Sequence, residues 1–179
     1  MKKTSLKNTV LSALFLSIGM VLPLLTSQIK EIGDTLLPMH LPVMLCGLLC
    51  GPLYGLGVGA ILPFFRSLVF SMPPMYPNAV WMAAELATYG FVIGFIYRKF
   101  KAKEILRIYI SLILSMLSGR IAWGVVKALL LGLGGNSFTL AAFITGGFVD
   151  SLLGIVLQLI LIPLLLTIIK KYSPNNEKE

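Results

Sequence analysis

Apolar residues run along this chain in blocks of about 20, the length at which a helix crosses a bilayer core of about 30 Å, and the breaks between blocks carry charge, proline or glycine. The pattern predicts six helices, at Leu6–Leu25, Val43–Cys50, Leu53–Phe70, Ala79–Tyr97, Leu106–Leu133 and Thr139–Ile169. The second is short and is parted from the third only by Gly51-Pro52, so it must borrow from the Pro-bearing segment before it or dip only partway. The sixth would make roughly 45 Å of helix, more than the core needs, and is expected to tilt, to kink at Pro163 or to lay its outer portion along the interface. The expected fold is an all-α membrane protein of six transmembrane helices, one domain over residues 1–172, followed by a disordered polar tail over residues 173–179.

Two connections stand out. Thr26–Leu41 carries Lys30, Glu31 and Asp34 and then Pro38-Met39-His40-Leu41-Pro42; each proline disfavours helix in the residue before it, which predicts a stiff extended loop around His40. Ser71–Asn78 reads SMPPMYPN, rigid and faced with soft methionines, and fits either a lid over a pocket or a tight connection.

Composition agrees: 57% of the chain is apolar and 12% charged, against about 25% charged in soluble domains, and the mean hydropathy is +0.91. No room is left for a nucleotide fold or a separate catalytic module. The net charge of +8 reads as topology rather than as a nucleic-acid footprint. Eleven of the 15 Lys and Arg residues fall in three clusters (Lys2, Lys3, Lys7; Arg98, Lys99, Lys101, Lys103, Arg107; Lys170, Lys171, Lys178) that flank apolar runs, as cytoplasmic ends do. Both termini are therefore placed in the cytoplasm. The basic start followed by Leu6–Leu25 is too long for a signal peptide and lacks a small-x-small cleavage site, so it is kept as the first span. Cys46 and Cys50 read as buried small hydrophobes; with His40 the single histidine, no metal set and no cofactor is indicated.

The chemistry lies in the charges inside the spans. In Leu106–Leu133, Arg120 and Lys127 are seven apart and share a helix face with Trp123 between them. A basic residue at the centre of a membrane helix costs about 2.5–3.5 kcal/mol, and usually faces a protein interior or polar cavity. Trp81, Glu85 and Tyr89 recur every fourth residue on the fourth helix, with Asn78 seven before Glu85. Six spans with both ends inside put Arg66, Glu85, Arg120, Lys127 and Asp150 in the outer half. That placement predicts a polar pocket open to the outside, with internal ion pairing as the alternative. Arg66 fits headgroup snorkelling as well as binding.

If Glu85 and Asp150 each pair with Arg120 or Lys127, an inward-facing Arg66 leaves one surplus positive charge, suited to a carboxylate or phosphate. The binding set is then Asn78, Trp81, Glu85, Arg120, Trp123, Lys127 and Asp150, with His40 and Tyr76 in covering loops. No nucleotide motif or proton-relay acid appears in the inner half, so movement of the solute needs a partner. An intramembrane enzyme would need more than Ser118-Gly119 beside Arg120, since His40 is placed in an outer loop. A self-sufficient secondary transporter or channel would show broken, repeated helices, and no clear repeat is present.

Small residues also recur: Ser5, Thr9, Ala13 and Ser17 on the first helix, and Gly47, Gly51, Gly55 and Gly59 across the second and third. Such stripes allow close approach, either by this chain's own helices or by a membrane partner.

The whole pattern, with its stretch LPMHLPVMLCGLLCGPLYGLGVGAILPFFRS, resembles the substrate-binding S-components of energy-coupling factor (ECF) vitamin transporters. The resemblance implies a subunit of the bacterial cytoplasmic membrane that captures a vitamin or precursor from outside, among the outer loops and helices 4 to 6. It also implies docking, through helices 1 to 3, onto a transmembrane coupling protein that carries two ATPases. The family's Ala-x-x-x-Ala docking motif is matched loosely by Ala13-Leu-Phe-Leu-Ser17, and Gly51, Gly55 and Gly59 are the companion docking positions. From the cationic face, pantothenate or another carboxylate-bearing vitamin is expected first; pyridoxine-type, queuosine-type, riboflavin and folate ligands are the alternatives.

Overall fold

The computed structural model of the protein describes residues 3–26, 37–133 and 139–172. The expected charged loop at Lys30, Glu31 and Asp34, the Gly134–Asn136 exit and the tail from Ser173 lie outside the described residues. The helices are α1 (Lys3–Thr26), α2 (His40–Cys50), α3 (Pro52–Phe70), α4 (Val80–Lys99), α5 (Glu104–Leu133), α6 (Leu140–Ile144) and α7 (Leu152–Tyr172), with wide π-helical turns over Met75–Ala79 and Thr145–Val149. Five helical stretches are long and apolar enough to cross a membrane: Leu6–Leu24, Pro52–Phe70, Met75–Lys99, Glu104–Gly132 and Leu152–Lys171. The second of the six expected helices, α2, is short as the sequence indicates, with 11 residues, about 16 Å of helix.

The short helix is the centre of the bundle. HLPVMLCGLLC is apolar on every side, and such a helix is buried rather than amphipathic; α1, α3, α4 and α7 all pack on it. It does borrow from the Pro-bearing segment: the expected extended loop around His40 is corrected to a turn at Pro38-Met39 and a helix beginning at His40. Pro42 is accommodated because the first-turn N–H groups have no intrahelical acceptor to lose.

Glycine sets the spacing of the next layer. A Cβ built at Gly47, Gly55 or Gly59 would collide with the backbone of α4 at Gly90 or Leu86, and one at Gly90 or Gly94 would collide with Gly55 or Gly47. Gly51 joins α2 to α3 at φ 115°, a conformation that favours glycine. The Arg98 guanidinium covers it and donates from Nη2 to the Cys50 carbonyl at 2.8 Å, to which Asn8 Nδ2 of α1 also donates at 3.2 Å.

Two further ties hold the ends. At the basic end, the Tyr97 hydroxyl accepts from Arg107 Nη2 at 3.0 Å and from Lys170 Nζ at 2.9 Å, and Lys170 also pairs with Glu104, so α4, α5 and α7 meet there. Toward the other end, Pro23 loosens α1, and Arg66 Nη1 of α3 donates to the Met20 carbonyl in that turn at 2.8 Å. Arg66 is buried and lies over the Phe70 ring, which answers the choice between headgroups and pocket with neither: it braces α1.

The sixth predicted helix is not continuous. It widens into a π-helical turn over Thr145–Val149 and a turn at Asp150-Ser151 between α6 and α7, where Gly146-Gly147 and Asp150 weaken α-helix propensity in succession. The inward face of α7 is Ser151, Gly154, Gln158, Ile162 and Leu166. Outward, Leu6, Val10, Leu14 and Val21 on α1 and their counterparts on α5 and α7 are exposed, as a lipid-facing surface requires.

Candidate functional site

Glu85 is the hub of the polar cluster. It sits one and a half turns into α4 on the face that α4 turns toward α5, and its Oε1 accepts from Arg120 Nη1 at 2.8 Å and from the Tyr89 hydroxyl at 3.2 Å. His40, from the first turn of α2, brings Nε2 to 3.5 Å from the same oxygen and packs edge-on against Tyr89 with ring centroids 5.1 Å apart. Glu85, Arg120 and His40 are 3%, 4% and 2% exposed. Three helices therefore deliver one carboxylate, one guanidinium and one imidazole to a buried point.

The cluster is not closed on itself. Arg120 Nε and Nη2 and both His40 ring nitrogens are buried with no hydrogen-bond partner among the described residues. Internal pairing, the alternative to a binding pocket, accounts for only one of the three guanidinium nitrogens. An unsatisfied buried donor costs about 1–3 kcal/mol, more for a charged group, and so calls for an acceptor.

One turn farther along α5, Trp123 is buried, and Lys127 follows four residues on. The Lys127 Nζ stands over two indoles, 4.5 Å from the Trp123 centroid and 5.3 Å from that of Trp81, which α4 supplies from its first turn. Gly146 and Gly147 pass across the Trp123 ring: a Cβ at Gly146 would lie 3.2 Å from Trp123 Cη2. Phe143 of α6 packs beside the same indole at 6.0 Å between centroids. A surface groove of about 330 Å³ runs next to it, lined by Ile121, Gly124, Val125, Ala128, Thr139, Leu140 and Phe143.

Of the expected binding residues, the structure brings together His40, Trp81, Glu85, Arg120, Trp123 and Lys127. Tyr76 and Asn78 stay in the turn before α4, where Tyr76 has extended backbone (φ −130°, ψ 135°) and is 65% exposed. Asp150, expected three turns into a helix and paired with a cation, is instead exposed at the break before α7, within electrostatic reach of Lys127. The π-helical turn ahead of it shifts the helical register, and Asp150 falls on the exposed side. Tyr89, aligned with Glu85 by its four-residue spacing, proves to be its hydrogen-bond partner. Gln158, buried with an unpartnered amide nitrogen among the described residues, carried no sequence signal beyond being polar in an apolar helix. Ser118 donates to the Leu114 carbonyl of its own helix at 2.8 Å.

The docking positions divide. Ala13 and Ser17 are exposed, beside a shallow groove of about 240 Å³ between α1 and α3 lined by Ser12, Ala13, Leu16, Leu53, Tyr54, Gly57, Val58 and Ile61. Gly51, Gly55 and Gly59 are buried against Arg98 and α4, so close approach by the chain's own helix absorbs them, and the surface they would have offered is inside the bundle.

No curated protein and no solved structure matches the chain at a significant level. A family model described as the ECF transporter substrate-specific component matches residues 7–166, from α1 to near the end of α7. With that match across most of its length, and with its apolar helices, the chain belongs to the family of substrate-specific components of ECF transporters, membrane proteins of solute uptake rather than of catalysis.

Proposed function

We propose that this subunit captures a carboxylate-bearing, vitamin-like solute from outside the bacterial cytoplasmic membrane and passes it inward once joined to a coupling protein and two ATPases. The basic end, with both termini, faces the cytoplasm. The observation that carries the reading is one edge of Arg120: a buried guanidinium whose Nη1 is held by Glu85 while Nε and Nη2, without a partner among the described residues, form a two-donor fork, the geometry that matches a carboxylate. Glu85 orients that fork, and Lys127 adds a second positive charge on the same face of α5. Tyr76 and Asn78, in the turn before α4, and Asp150, within electrostatic reach of Lys127, complete the binding set. On the anionic group alone, pantothenate is the first candidate. Ala13 and Ser17, with the α1–α3 groove beside them, form the surface for the coupling protein.

Mass spectrometry of small molecules co-purifying with the protein identifies the solute. Its binding to Arg120→Ala is expected to weaken at least tenfold, since a charge-assisted hydrogen bond contributes about 1.5–3 kcal/mol, while the variant keeps its helical spectrum. Unchanged affinity in the folded variant refutes the assignment of Arg120. Uptake by the chain alone in liposomes, driven by an ion gradient, would instead establish a self-sufficient transporter.

A further inference from the structure

The protein has two tryptophans, and both face the Lys127 ammonium. Trp123 and Lys127 are one turn apart on α5, and Trp81 comes from the facing helix, so the two indoles are walls on different elements with a cation between them. The electron-rich face of an indole attracts positive charge or an electron-poor ring edge. Leucine or methionine at position 127 would pack against both rings without the cost of an ammonium in a membrane helix. The ammonium is instead placed where a ligand cation or ring would sit. Aromatic rings associate at centroid separations of about 4.5–7 Å, the range in which Nζ already stands from each wall. Trp123 is fixed by Gly146 and Phe143 at its edges, and the Arg120 fork lies one turn below.

We infer that Trp81 and Trp123 form a two-walled slot for a flat, electron-poor ring, that Lys127 is its resident occupant, and that the solute takes its place. The solute class is then an electron-poor heteroaromatic ring bearing a carboxylate: ring between the indoles, carboxylate on Arg120. This rests on the anion reading of Arg120 for the second half only. It narrows the candidates, because pantothenate has the carboxylate and lacks the ring. The displaced Lys127 ammonium is not stranded, since the Asp150 and Glu85 carboxylates lie within its electrostatic reach.

The test uses N-methylpyridinium chloride, a flat, electron-poor cation without a carboxylate, and reads the intrinsic tryptophan fluorescence of the purified full chain at constant ionic strength. Lys127→Ala is expected to show saturable quenching with a midpoint at least tenfold below that of the unaltered protein. Adding Trp81→Ala is expected to abolish saturation and leave quenching linear in concentration. Lys127→Gln serves as a second variant, with the same expected order, should the alanine form fail to fold. Linear quenching of equal slope in the unaltered protein and in both Lys127 variants overturns the slot. Because the probe carries no anionic group, its saturation tests the slot alone; the anion reading stands or falls separately, on the affinity of Arg120→Ala for the co-purifying solute. A co-purifying solute without a conjugated ring overturns the assigned solute class.

Discussion

Removing Glu85 while leaving Arg120 tests whether the buried cluster is held as the geometry says. Both side chains are within 5% of full burial and are joined at 2.8 Å, so Glu85→Leu strands a guanidinium in a water-poor interior. Breaking a buried pair from one side costs about 3–5 kcal/mol, and the Tyr89 hydroxyl loses its acceptor, for roughly 1 kcal/mol more. Arg120→Met should cost less than Glu85→Leu, because the remaining carboxylate still accepts from the Tyr89 hydroxyl. The double variant, with both charges gone and the volume refilled, should lie within about 1 kcal/mol of the unaltered protein. At about 2–4 °C per kcal/mol for a chain of this size, Glu85→Leu melts roughly 8–24 °C lower and the double variant within a few degrees. Thermal unfolding in detergent without added solute, followed by circular dichroism, reads all four proteins. Additive losses in the double variant would refute the coupling. A Glu85→Leu shift of about 1 °C or less would mean that Arg120 is hydrated where the structure buries it.

Three other outcomes follow from the packing. Gly55→Val drives a side chain into the Gly90 carbonyl and is expected to cost at least about 1–3 kcal/mol, whereas Gly57→Ala, on the same helix but facing open space, is expected to be neutral or slightly stabilising; melting temperatures of the two in detergent give the comparison. Tyr97→Phe keeps the ring under Arg107 and Lys170 but removes the oxygen both donate to, with an expected loss of about 1–3 kcal/mol in the same assay. Ala13→Leu, on the exposed stripe of α1, is expected to leave folding and solute binding unchanged while reducing co-purification with the coupling protein several-fold; undiminished co-purification would move the docking surface elsewhere.

The helical class and most helix positions were legible because each depends on a run of neighbours. Twenty apolar residues between charge clusters are a helix in a bilayer almost regardless of what they touch. The face shared by Arg120, Trp123 and Lys127 was legible for the same reason: a helix period fixes it. His40 was misplaced because Pro38 and Pro42 were weighed as helix breakers, while burial of α2 against four neighbours outweighs that local preference and seats Pro42 in a first turn that tolerates it. Asp150 was placed on an inward face because an α-helical period was carried through Gly146-Gly147, where a π-helical turn shifts the register. The glycines of α2 and α3 were recognised as a close-approach surface, but a small-residue stripe does not say which helix approaches, and here α4 does.

By itself, then, the sequence determined what is periodic and local: an all-helical bundle dressed for lipid, basic ends, and one cationic, aromatic face on α5. Only the tertiary structure decided which side chains from distant segments meet, setting His40 beside Glu85, turning Arg66 to α1 rather than to the site, and seating Lys127 between two indoles. The physical reason is that helix formation is a property of consecutive residues, whereas the partner of a buried charge depends on how helices cross. Those crossings are fixed by glycine contacts whose counterparts lie 27 to 47 residues away in the chain.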